Sequence, residues 1–145
     1  MYLLAQILLT VTAIGYSLVP VLADFNATHV TNPTWDPHAR FHIVWQVSSY
    51  VGVAAIALYL IWFGPADRHR LLLASGFAIC MYGGFFTAVC TRRWYGGTLY
   101  SENGILPLRL KFGARHISAD ANLTLFASIV AVVVVPALVL LAWMM

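Results

Sequence analysis

Charge is what this sequence has least of. Eight lysines and arginines and five acidic residues make up 9% of 145 positions, against about 25% in soluble domains. That scarcity excludes an ordinary water-soluble domain. A net charge of +3 spread over short polar stretches also argues against a nucleic-acid partner. Cysteine is equally scarce: Cys80 and Cys90 lie in one apolar run, about 15 Å apart along a helix axis. That is too far for a bridge, and without a CxxC pair a dithiol mechanism has no support. There is no HExxH, no glycine-rich phosphate loop and no GxSxG, so hydrolytic and nucleotide-dependent readings lose their usual carriers.

What is abundant is apolar surface, with 61% hydrophobic residues and a mean hydropathy of +0.83. Four runs, about Leu3 to Ala23, Ile43 to Phe63, Leu71 to Thr91 and Leu123 to Trp143, are each long enough to cross roughly 30 Å of hydrocarbon. The expected architecture is all-α: one domain over residues 1–145, an integral membrane four-helix bundle with both termini on the same face. The first run lacks a basic leader and a small-x-small cleavage site, so it is expected to be kept as a span. Arg68 and Arg70 flank the turn between spans two and three, and Arg40, Arg92, Arg93, Arg109, Lys111 and Arg115 lie at the other end. The positive-inside rule then puts that richer end in the cytoplasm.

Small and polar residues recur at helical spacing in span one (Gln6, Thr10, Ala13, Ser17) and in span three (Gly76, Cys80, Gly83, Thr87, Thr91). Both stripes are expected to face neighbouring helices or a second copy in a homodimer, with Cys80 a packing residue. Asp36-Pro37 is a helix-start signal; from it His38, His42, Gln46 and Ser49 share one face of span two. His69 falls in the turn at the far end. The only long connection, Arg92 to Ala121, is rich in glycine and aromatics and is expected to fold over the end of the bundle as a hairpin or interfacial segment. Ser118 to Asp120 can cap span four.

One stretch concentrates polar chemistry: Asp24 to His42, DFNATHVTNPTWDPHARFH, which holds three of the five histidines. The topology brings Asp24, His29, Asp36, His38, His42, Glu102, His116 and Asp120 to one membrane surface, where ionisable groups usually mark a site. As an acid–base centre, His38, His42, His29, Asp24 and Asp120 would move protons on a lipophilic sterol-, terpenoid- or lipid-like substrate, by isomerisation or cyclisation. Asn26, Trp35, Arg40, Trp45, Gln46 and Trp94 would bind it, Arg40 through a carboxylate or phosphate. Alternatively His38, His42, His29 and His116 would hold zinc, iron or copper in a membrane oxidoreductase. The third reading is a non-catalytic lipid-binding or accessory subunit, in which these residues tie the first loop to the fourth helix. The cofactor is otherwise unspecified, and the partners are the bilayer and a hydrophobic small molecule.

Asp24-Phe25-Asn26, Thr28-His29, Asn32-Pro33, Trp35 and Pro37-His38-Ala39-Arg40-Phe41-His42 resemble the opening of a family of small four-span membrane proteins of unknown function. In span count and pocket-facing polar residues the chain is also similar to the emopamil-binding protein and sigma-2 receptor superfamily. That similarity implies a sterol- or amphiphile-binding pocket and, in one branch, double-bond isomerisation by proton transfer. The isomerases of that branch use an intramembrane glutamate, whereas Glu102 falls in a loop here, so their mechanism does not transfer. DoxX-like redox subunits share the size but not the motif.

Overall fold

The computed structural model describes residues 1–100, 106–112 and 115–144. Its helices are α1 (Tyr2–Asp24), α2 (Pro37–Trp62), α3 (Arg68–Thr91) and α4 (Ala121–Trp143). Between α3 and α4 come a 3-10 turn, Arg92–Trp94, and an antiparallel hairpin of β1 (Leu108–Phe112) and β2 (Arg115–Ala119), which pairs Leu108 with Ala119 and Phe112 with Arg115. The bundle is all-α as expected, and each of the four helices is long and apolar enough to cross a membrane. At most 33% of any span's apolar window is buried inside the protein. The outer row of α1 (Leu3, Ile7, Val11, Ile14, Leu18 and Leu22) is exposed, an apolar face that suits lipid and not water.

Acidic residues set where the helices begin. Asp36 accepts from the His38 N–H at 2.8 Å with Pro37 opening α2, Asp67 from the His69 N–H at 2.9 Å, and Asp120 from the Leu123 N–H at 2.8 Å. Each satisfies a backbone donor that the helix cannot. The first of these caps puts the start of α2 where the Asp36-Pro37 signal did. Within α4 the segment Val130–Val134 is π-helical, and the Val135 N–H reaches Val130 O. Pro136 has no N–H to give to the preceding turn, and the wider turn is one way a helix absorbs that loss.

The helices alternate in direction. Gln6, near the start of α1, donates through Nε2 to Ile61 O at 2.6 Å, and Trp62 Nε1 donates to Thr10 Oγ1 at 2.8 Å, so α1 and α2 are antiparallel. The Tyr2 hydroxyl donates to Asp67 O and the Tyr82 hydroxyl to Thr12 O, both at 3.3 Å, which sets α3 parallel to α1. These two form the centre: Ala5, Leu9, Ala13 and Tyr16 meet Leu71, Ala74, Ala78 and Tyr82, with Val134, Ala137 and Leu141 from α4 and Ala54, Ala57 and Ile61 from α2.

The expected stripe on α1 does face protein, through Gln6, Thr10 and buried Ala13. The one on α3 does not face another helix of the bundle. Cys80, Gly83 and Thr87 are exposed, and the packed face is Leu71, Ala74, Ser75, Ala78 and Tyr82. Cys80 is therefore not a packing residue within the bundle. The long connection folds back over the polar end in its first part: Tyr95 donates through its hydroxyl to Ala88 O at 2.8 Å, the Gly97 N–H to Arg92 O at 2.7 Å, and Asn122 Nδ2 to Leu99 O at 3.3 Å.

Candidate functional site

Of the five acidic residues, three are the helix caps Asp36, Asp67 and Asp120, and Glu102 lies outside the described residues. Asp24 alone remains among the described carboxylates with no capping role. It ends α1, one turn beyond Pro20, and is half-buried. It lines a cavity of about 280 Å³ bordered by all four helices. Tyr16, Val19, Pro20 and Ala23 of α1 form one wall, and Met81, Gly84, Phe85 and Ala88 of α3 another. Gln46 and Tyr50 close it from α2, Asn122 and Phe126 from α4. Tyr16 is eight residues before Asp24, so the cavity reaches about 12 Å into the bundle. Gln46, Gly84 and Ala88 are exposed lining residues, which puts the opening on the α2–α3 flank, below the end of the bundle.

The walls are mostly apolar, and the polar atoms on them are few. Gln46 donates through Nε2 to the Tyr50 hydroxyl, and Asn122 gives its amide to Leu99 O. The Tyr16 hydroxyl, in a residue only 2% exposed, has no hydrogen-bond partner among the described residues. A buried phenol without an acceptor carries a cost of about 1–3 kcal/mol unless something supplies one.

Behind Asp24 stands His29, its Nδ1 at 3.6 Å from the Asp24 carboxylate. The loop around it is built from short-range bonds. Asn26 donates through Nδ2 to Leu22 O at 3.0 Å and Ala23 O at 2.9 Å, and its Oδ1 accepts from the Thr28 N–H at 2.8 Å. The amide orientation is thereby set. The Thr28 hydroxyl can donate only to acceptors, Asn26 Oδ1 at 2.6 Å or Ala23 O at 3.2 Å, so at 2.7 Å it accepts from His29 Nδ1–H. That assigns the tautomer: in neutral His29 the proton sits on Nδ1 and Nε2 keeps its lone pair. The Trp35 ring meets the imidazole edge to face at 4.9 Å, and Asn32, buried, donates to Thr28 O at 3.1 Å.

The expected constellation thus divides. Asp24, His29, Asn26 and Trp35 form one cluster, and Gln46 shares the cavity with Asp24. His38 and His42 are exposed on the first turns of α2 and meet each other, Nε2 to Nε2, at 3.1 Å. Arg40, on the other side of the same turn, is half-buried, Trp45 is 61% exposed, and Trp94, at 88%, lines none of these cavities. Asp120 lines a separate hollow with Arg92, Thr98 and Tyr100, and its Oδ2 is buried without a partner among the described residues. No hydrogen bond or ion pair among the described residues joins Asp120 or the His38–His42 pair to Asp24. The His116 side chain is outside the described residues, and among those described no three histidine, cysteine or acidic side chains are grouped as metal ligands. At the other end of the bundle the His69 backbone N–H and ring hold the Asp67 carboxyl below its ordinary range.

Tyr16, Tyr50, Met81, Phe85, Asn122 and Phe126 were not among the expected site residues. The one signal for Tyr16 was its place a turn before Pro20, at the spacing of the buried face of α1.

Nothing among curated proteins and nothing among solved structures matches the chain. A family model described as a family of unknown function (DUF6640) matches residues 8–89, more than half of the sequence and all of the Asp24–His42 stretch. The chain belongs to that family.

Proposed function

We propose that the protein is a membrane enzyme that moves a proton on a lipophilic substrate entering the cavity from the bilayer. The observation that carries this reading is Asp24, the one described carboxylate left free of capping, on the wall of an apolar cavity with His29 behind it. Asp24 is the catalytic residue in this reading. It takes a proton from an activated carbon and returns it to another carbon of the same molecule, the balance of a double-bond isomerisation. His29 is a positioning residue whose cation offsets the carboxylate charge in a poorly hydrated setting. The Tyr16 hydroxyl would donate to an oxygen at the far end of the substrate, and Phe85, Phe126 and Met81 would hold its apolar body.

The test is deuterium exchange. Vesicles containing the protein are incubated in D₂O with a total lipid extract of the membranes that produce it, and lipophiles are screened for mass gain at carbon. One species gains deuterium with the wild type. The Asp24→Asn variant, its helicity unchanged by circular dichroism, loses about 10²-fold or more in rate, and His29→Gln loses about tenfold with a shifted pH profile. Absence of exchange, or exchange indifferent to Asp24→Asn, contradicts the proposal; a lipophile that binds without exchange leaves the cavity a lipid-binding site.

A further inference from the structure

The pair at the start of α2 is unused by the reaction just described, and its geometry points to a second site: His38 and His42 form a two-imidazole chelate for one divalent transition-metal ion. They stand one helical turn apart on one face, and their Nε2 atoms are 3.1 Å from each other. Two nitrogens each about 2.0–2.1 Å from a single ion, at bond angles of ~90–110°, lie about 2.9–3.4 Å apart. The pair therefore already has the separation that one ion requires. A small turn of either ring about χ2 replaces the proton now shared between the nitrogens with the metal.

Two neighbours keep the rings in place. His38 lies parallel to the Phe41 ring (9° between planes, centroids 6.0 Å), and His42 stacks on Trp45 (27°, 5.9 Å). Asp36 fixes the first turn itself through the His38 N–H. Both imidazoles are exposed, so the remaining coordination positions face outwards and fill with water or an added anionic ligand. Neutral imidazole favours copper, nickel and zinc over magnesium or calcium. The ion would clamp the first turn of α2, the element that follows directly on the Asp24–His29 loop.

Calorimetric titration of the full-length protein in mild detergent with Ni²⁺, and separately with Zn²⁺, tests this. The expected result is one ion per chain, a rise in thermal midpoint on binding, and at least about tenfold weaker binding in His38→Gln and in His42→Gln. His29→Gln and His69→Gln bind as the wild type does; the latter removes the other histidine close to a carboxylate at the surface. Mg²⁺ gives no shift. Binding that survives the His38→Gln, His42→Gln double variant, binding lost with His29→Gln or His69→Gln, or no saturable binding to the wild type would each overturn the assignment. Because Asp24 and the cavity are untouched by the His38 and His42 variants, failure here leaves the proton-transfer reading standing.

Discussion

At the scale of single residues, scarce charge is assigned with little redundancy. Three of five acids start helices, and Asp24 lines the cavity. Basic residues do comparable structural work. Arg70 donates through Nε to Leu60 O at 3.1 Å and through Nη2 to Tyr59 O and Phe63 O, closing the carbonyl end of α2. Gly64 permits this with φ at +125°, and a Cβ there would sit 2.7 Å from Arg70 Nη1. Gly64→Ala is therefore expected to destabilise the protein by about 1–3 kcal/mol, from an unfavourable φ and from loss of the arginine cap. Thermal unfolding in detergent reads this, and an unchanged midpoint would show that the turn relaxes freely. Two of the three aspartate caps, Asp36 and Asp120, were legible in the sequence because an N-cap is a local event, decided within four residues; Asp67 reads in the sequence only as part of a turn. The division of His29 from His38 and His42 was not, since it depends on how the loop from Asn26 to Trp35 turns through its own Asn and Thr side chains.

Helix existence at the scale of elements follows from hydropathy alone, and the expected spans differ from the observed ones only near their ends. Which face of a span meets protein is harder to read. In water the packed face is the apolar one; in lipid the outside is apolar as well, and only size and hydrogen bonding distinguish the two. On α1 the polar stripe found partners in Ile61 O and the Trp62 indole. On α3 the hydroxyls of Thr87 and Thr91 bond back to Gly83 O and Thr87 O, each at 2.8 Å, so a polar side chain there needs no neighbour and the stripe carried no information. The close contact lies elsewhere, at Gly15, where a Cβ would stand 2.5 Å from the Tyr82 hydroxyl. Gly15→Ala should displace Tyr82, break its bond to Thr12 O and cost about 1–3 kcal/mol. A denaturation series checks this, with Gly76→Ala as the control, since a Cβ at Gly76 meets nothing within 4 Å. Equal stability of the two variants would mean that α1 and α3 are not held at that distance.

For the whole molecule, four helices surround a cavity that opens on the α2–α3 flank and has Asp24 at its polar end. The bundle and its polar end were legible in the sequence, because apolar runs of sufficient length leave few topologies. The cavity was not, because its walls are Tyr16, Phe85, Phe126 and Met81, residue types that look alike whether they line a space or fill one. Native mass spectrometry of the protein released from detergent tests the cavity most directly, comparing the wild type with Gly84→Phe. Gly84 lines the opening, and a Cβ there meets nothing within 4 Å, so a ring can be added at the mouth of the cavity without straining α3. A hydrophobic adduct of defined mass on the wild type, lost in Gly84→Phe while the fold is retained, is the expected result. An adduct retained equally by both proteins, or absent from the wild type, would contradict a lipophile-holding cavity and with it the role given to Asp24.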